Sequence, residues 1–239
     1  MTEQDSRRLK IVLFDIDGTL MTTGGGARQV FSRSLSEAAG RAIHADGYAF
    51  SGKTDPQIAR DILAMNGLKG EELEAAVPET VRLYIKYFAE ALPILEQAHL
   101  MPGVRELLDA LADHSEAHVA LLTGNVETGA RLKLGHFDLE SYFDFSVSCF
   151  GSDREDRYEL PALALERARR ILAPEISGDQ LVIVGDSEHD VLCGRSIGAR
   201  SVAVSTGWTT AEKLQSLNPS AHLDSLSDSG QVIQAILGR

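Results

Sequence analysis

Short apolar runs alternate with helical patterns along most of the chain. Leu9–Asp15 (LKIVLFD) is aliphatic and ends in acid and glycine, as a buried parallel strand does on entering a loop. Ala117–Leu122, Gln180–Val184 and Arg200–Val204 have the same form, and Phe145–Ser148 is a weaker fifth run. Between them, apolar positions recur at helical spacing over Val104–His114, Val126–Gly135, Pro161–Leu172 and Val191–Ile197. This alternation predicts an α/β fold, a doubly wound parallel sheet of Rossmann-like type. One block departs from it. Ala27–Ala39, Pro56–Met65 and Glu71–Leu92 carry helical periodicity with no convincing buried strand, punctuated by Leu68-Lys69-Gly70 and Ala91-Leu92-Pro93. The pattern divides the chain into an α/β core, residues 1–20 and 98–239, and an inserted all-helical block, residues 21–97. The serine-rich Asn218–Ser229 reads as loop.

In open α/β sheets, ligands bind beyond the carboxyl ends of the strands. Three of the runs end in polar clusters: Asp15-Ile16-Asp17-Gly18-Thr19, Thr123-Gly124-Asn125 and Gly185-Asp186-Ser187-Glu188-His189-Asp190. If those strands are neighbours, Asp15, Asp17, Asp186 and Asp190 converge. Four carboxylates in one crevice repel one another unless a cation joins them. A hard, oxygen-seeking ion such as Mg²⁺ answers that need, because it binds few carboxylates and takes phosphate oxygens as further ligands.

Charge narrows the partners. The 239 residues hold 23 Lys and Arg against 35 Asp and Glu, a net charge of −12. Such a chain lacks the basic footprint of a nucleic-acid binder and the attraction to an anionic membrane surface. It does not exclude one local anion pocket. The two cysteines, Cys149 and Cys193, have no metal-ligand spacing and suit a reducing compartment. The N-terminal MTEQDSRRLK has no signal-peptide apolar region, and no apolar stretch approaches the ~20 residues of a membrane span. A cytoplasmic protein is expected. The sequence carries no signal for oligomeric state.

The three clusters, in order and spacing, resemble the motifs of the haloacid dehalogenase-like hydrolase superfamily. Asp15–Thr19 matches its Asp-x-Asp-Gly-Thr motif, Thr123 its strand-end Thr or Ser, and Asp186 with Asp190 its acidic pair. The helical block after the first motif resembles that family's cap. The resemblance implies phosphoryl transfer through an aspartyl-phosphate and a Mg²⁺ cofactor. Asp15 would be nucleophile and metal ligand. Asp17 would be general acid and then base, with its backbone carbonyl on the metal. Asp186 would complete the metal shell, and Asp190 would orient the third-motif cation or a metal-bound water. Thr123, with Gly18, Gly124 and Asn125, would hold the transferring phosphoryl.

The third motif departs from the family pattern, which commonly has a Lys before the helix leading to the acidic pair. The segment Gly151–Pro161 contains no Lys. A cation is still needed there; Arg157, nearest the helix start, is the choice, with Arg154 as the alternative. In the cap, Ser51-Gly52-Lys53-Thr54-Asp55 resembles the cap loop of phosphoglycolate phosphatase-like members, so Lys53 would meet a second anionic group of the substrate. Arg28, Arg60, Arg82 and Lys86 read as solvated helix-face cations. The expected activity is hydrolysis of a small phosphorylated metabolite, 2-phosphoglycolate among the candidates. Alternatives within the superfamily are a phosphomutase and a phosphonoacetaldehyde hydrolase with Lys53 as Schiff base. A non-catalytic binding module on the same fold is the alternative outside enzymes.

One further motif competes. Gly47-Tyr48-Ala49-Phe50-Ser51-Gly52-Lys53-Thr54 satisfies the Gly-x₄-Gly-Lys-Thr pattern of nucleotide-binding P-loops. That loop needs a buried strand before it, and Gly40–Asp46 is mostly polar; Tyr48 and Phe50 are bulky where a phosphate cradle wants small residues. The remaining special residues read as ordinary: His44, His99, His114, His118 and His136 as surface or helix-end groups, and Trp208 as loop packing. His189, inside the acidic-pair motif, is placed near the site.

Overall fold

The computed structural model describes residues 9–239. The polar N-terminal segment read above for targeting signals lies almost wholly outside them. Five parallel strands form the main sheet: β1 (Lys10–Phe14), β4 (Ala117–Leu121), β5 (Leu181–Gly185), β6 (Arg200–Val204) and β7 (Ala221–Leu223), in the order β4-β1-β5-β6-β7. Their residues alternate between two apolar layers, as the period of a strand requires. Val12, Phe14, Val182, Val184, Val202 and Val204 pack on one face with Leu107, Leu108, Leu111, Val232 and Ile236. Ile11, Leu13, Leu181 and Ile183 pack on the other with Leu160, Ala164, Leu165 and Ala168. Helices thus cover both faces of the sheet, and β1 lies inside it between β4 and β5.

Two of the sequence readings are corrected. Phe145–Ser148 is not a strand. Asp144 folds it into a turn, its carboxylate accepting from the Ser146 N–H at 2.8 Å, and only Cys149 makes an isolated bridge to Leu122. The fifth strand is instead β7, within the segment read as loop. It is three residues long, too short for alternation to show in the sequence.

The helices Gly26–Ala38, Asp55–Met65 and Gly70–Ala91 gather their apolar faces into a cluster of their own, built on Phe31, Leu35, Ile58, Ile62, Leu63, Tyr84 and Phe88. The chain enters and leaves this block through a short antiparallel pair, β2 (Met21–Thr22) with β3 (His99–Leu100). Among the described residues no helix is long and apolar enough to cross a membrane.

Candidate active site

The ends of β1, β4 and β5 lie side by side, and each delivers its polar cluster to the same crevice. Asp15 follows β1, Thr123 follows β4 and Asp186 follows β5. Asp15, Asp186 and Asp190 are buried, with one carboxylate oxygen of each lying within 4.8 Å of the others. Arg157 enters from a short 3-10 turn, Arg157–Glu159, whose N–H at Tyr158 is capped by the Asp156 carboxylate at 2.9 Å. One Arg157 Nη donates to Asp15 Oδ1 at 3.2 Å, to the Leu122 carbonyl at 3.3 Å and to Asp190 Oδ1. Arg154, the alternative cation, is exposed and faces Glu159 at 3.4 Å. Of the two arginines, Arg157 is the one that lies among these carboxylates.

The remaining atoms of this cluster are tied down by the local fold. The other oxygen of Asp190 accepts from the N–H and hydroxyl of Ser187 at 2.9 and 2.6 Å, a reciprocal cap of the short helix Glu188–Leu192. Both Asp190 oxygens are thus engaged, one by Arg157 and the other by Ser187. Asp186 receives the Thr19 hydroxyl at 3.0 Å. Gly18 has φ +88°, and a Cβ there would come within 2.6 Å of Asp186 Oδ2, so only glycine lets this loop lie against that carboxylate.

Burial pushes the Asp15 carboxyl up to about 7, against the pull of Arg157 and with the repulsion of Asp190 and Asp17. Burial, then Asp190 and Asp15, drives Asp186 well above the usual carboxylate range. Burial opposes the Arg157 charge, but Asp190 and Asp15 outweigh it and hold the guanidinium protonated. Three buried carboxylates against one guanidinium leave about two negative charges unbalanced when all are ionised. A divalent cation with oxygen ligands would satisfy that donor set, and Asp15 and Asp186 are the members with the fewest competing hydrogen bonds. Arg157 Nε is also buried, with no hydrogen-bond partner among the described residues.

Asp17 does not join this cluster. Its carboxylate turns to the outer side of the crevice, where Lys133 Nζ donates to both oxygens at 2.7 and 2.6 Å and Asn125 Nδ2 donates at 2.7 Å. The expectation of four converging carboxylates is thus corrected to three, with Asp17 held apart by a lysine. Lys133 is missing from the motif reading. It lies eight residues beyond Asn125, on the helix Glu127–His136, whose buried stripe is Gly129, Ala130, Lys133 and Leu134. A lysine at an apolar position of that stripe is the signal that would have found it. Asn125 completes the group: its Oδ1 accepts from Lys133 at 2.6 Å, and its Nδ2 also donates to the Thr123 hydroxyl at 2.8 Å.

The helical block closes over the crevice. The Asp55 N–H donates to the Gly124 carbonyl at 2.8 Å, and Asp55 Oδ2 accepts from the Val126 N–H at 2.8 Å, at the start of the Lys133 helix. Burial raises the Asp55 carboxyl to about 6, against the pull of Lys133. A Cβ at Gly124 would lie 2.0 Å from the Lys53 carbonyl, so glycine is required by the approach of that loop. The Thr54 hydroxyl donates to the Glu155 carbonyl at 2.5 Å, and Arg60 Nε to the Glu155 carboxylate at 2.6 Å. Lys53 reaches none of the carboxylates of the crevice. Its ammonium donates to the Tyr48 hydroxyl at 2.8 Å and lies 3.5 Å from Asp61, within the block. Tyr48 and Phe50 pack edge-on at 5.8 Å beside Phe31, so this Gly-x₄-Gly-Lys-Thr stretch is a packed cap loop and not a phosphate cradle. His189 lies beside it, 3.3 Å from the Tyr158 hydroxyl. Trp208 corrects the packing expectation: it is 90% exposed, on the loop following β6.

Comparison with known proteins agrees with this arrangement. Residues 12–204 match the model of the haloacid dehalogenase-like hydrolases. The chain is 25% identical to a phosphoglycolate phosphatase of Vibrio parahaemolyticus over 243 aligned positions, covering 98% of each chain. It is 26% identical to a phosphoglycolate phosphatase of Nitrosospira multiformis, covering 95% of this chain and 96% of that one. In fold it is similar to a β-phosphoglucomutase of Clostridium difficile, with a TM-score of 0.71 at 17% identity over 96% of this chain and 97% of that one. With the motif residues gathered at three neighbouring strand ends and a family match across most of its length, the chain belongs to the haloacid dehalogenase-like hydrolases and is phosphoglycolate phosphatase-like in sequence.

Proposed function

We propose that this hydrolase is a Mg²⁺-dependent phosphatase acting on a small phosphorylated metabolite through an aspartyl-phosphate at Asp15. The observation that carries the reading is the buried group of Asp15, Asp186 and Asp190 around Arg157, at the carboxyl ends of adjacent strands. A carboxylate held by a guanidinium at 3.2 Å is aimed and restrained, as an in-line nucleophile must be. Asp15, Asp186 and the Asp17 backbone carbonyl would hold the metal, which when bound supplies charge neutralisation for nucleophile and phosphoryl oxygens. In the first half-reaction an Asp15 oxygen bonds to phosphorus as the bond from phosphorus to the alcohol oxygen breaks. The departing oxygen takes a proton from Asp17. In the second, Asp17 takes a proton from a water whose oxygen attacks the same phosphorus, releasing inorganic phosphate and restoring the Asp15 carboxylate. Gly18, Thr123, Gly124, Asn125 and the unpartnered Arg157 Nε would receive the phosphoryl oxygens.

For the substrate, the relatives named above support a phosphorylated hydroxy acid such as 2-phosphoglycolate. Lys53 would exchange Asp61 for its carboxylate. The reading includes a reducing, cytoplasmic setting, supported by the two free buried thiols of Cys149 and Cys193. Assay of p-nitrophenyl phosphate and 2-phosphoglycolate with and without Mg²⁺ tests it. Wild type should release phosphate only with the metal, and Asp15→Asn should lose at least about 10⁴-fold in turnover. Phosphate release by Asp15→Asn at the wild-type rate would reject the mechanism.

A further inference from the structure

The most unusual charge outside the metal-type cluster is Lys133. It is 2% exposed, and its ammonium makes three short bonds, two to Asp17 and one to Asn125 Oδ1. A buried lysine is tolerated only when fully partnered. Here both partners belong to the motif loops, so Lys133 ties the β1 loop to the β4 loop. Phe88 of the helical block covers the ammonium, with the ring centroid 5.6 Å from Nζ. Lys133 is too enclosed to meet bulk solvent, and all three of its N–H bonds are spoken for, so none remains for a substrate group.

We infer that Lys133 is the positioning residue of Asp17: with Asn125 it fixes the plane and reach of the Asp17 carboxyl, so that this group meets the departing oxygen of the substrate. Gripping both carboxyl oxygens from one side removes the free rotation that a half-exposed aspartate otherwise has. In the step served, the Asp15 oxygen joins phosphorus, the electron pair of the broken bond stays on the alcohol oxygen, and that oxygen takes the proton carried by Asp17. A misplacement of about 1 Å in such a donor is expected to cost about 10²-fold. The inference rests on the phosphatase reading above.

The test is a double-mutant cycle on two substrates. Lys133→Met, Asp17→Asn and the double variant are assayed with Mg²⁺ on an alkyl phosphate, whose alkoxide needs a proton to leave, and on p-nitrophenyl phosphate, whose phenolate does not. Lys133→Met should lose about 10²-fold in kcat/KM on the alkyl phosphate, and at least about tenfold less than that on p-nitrophenyl phosphate. Adding Lys133→Met to Asp17→Asn should cost far less than it costs the wild type, because the part of its effect that runs through Asp17 is already lost and only its bond to Asn125 remains. If Lys133→Met does not fold, as judged by its thermal melt, Lys133→Gln carries the same comparison. Equal losses on both substrates, or additive losses in the double variant, would overturn the inference while leaving the phosphatase reading intact. Full activity of Asp15→Asn would overturn both.

Discussion

The inner and outer halves of the site hold aspartates only two residues apart, yet the chain treats them in opposite ways. On the inner side Asp15 is buried among other carboxylates, and its carboxyl is pushed up to about 7. On the outer side the Asp17 side chain is 43% exposed and sits on a lysine. Strand alternation would put residues two apart on one face, but β1 ends at Phe14 and the chain turns at Gly18, so Asp17 leaves the face of Asp15. It teaches that the Asp-x-Asp pair is not one acidic patch. One member is buried among carboxylates, the other stands half open to water on a lysine.

The largest test of that contrast removes the cation of each half. Arg157→Met leaves Asp15 and Asp190 buried without their partner and should cost about 3 kcal/mol in urea unfolding. Lys133→Met leaves a half-exposed aspartate that water can solvate, and should stay within about 1.5 kcal/mol of wild type. Equal costs would break the distinction between the halves.

The next test uses pH. Asp15 and Asp186 both have folded-state values raised above their ordinary ones by burial. A carboxyl raised in this way favours the fold at low pH and loses that contribution as pH rises through its folded value. In chelator, the melting temperature should therefore fall from about pH 4 to about pH 7, between the ordinary and the folded values of Asp15. Metal binding requires ionised carboxylates, so saturating Mg²⁺ should raise Tm by about 5 °C at the upper end and by less at the lower. A Mg²⁺ shift that is the same at both ends would contradict the assignment of the inner half.

The smallest effect lies at the contact between the helical block and the core. Arg60 and Glu155 are paired at 2.6 Å but are 32% and 40% exposed. Arg60→Ala should change unfolding stability by less than about 1 kcal/mol. A larger loss would mean that this contact behaves like the buried inner half.

Much of this arrangement was legible in the sequence. The apolar runs at Leu9–Asp15, Ala117–Leu122, Gln180–Val184 and Arg200–Val204 all became strands, because strands buried on both faces are near-continuous in apolar residues. The polar clusters following three of these runs marked the crevice. Arg157 could be preferred over Arg154 from its place at the helix start. The rest depended on tertiary contacts that local patterns do not carry. Phe145–Ser148 looks like a strand until Asp144 turns it, and Phe145 then stacks on Phe150 with ring centroids 6.0 Å apart. The pull of Lys133 on Asp17 joins residues 116 positions apart and follows no motif. Only its place on a buried helical stripe hinted at it.

In the proposed mechanism Asp15 carries the phosphoryl group. Acid-quenching the enzyme during turnover with Mg²⁺, then measuring the mass of the peptide that contains Asp15, tests it most directly. A phosphorylated peptide is expected, with the group on Asp15, absent without substrate and absent in Asp15→Asn. Continued phosphate release by Asp15→Asn, with no phosphorylated peptide in the wild type, would contradict it.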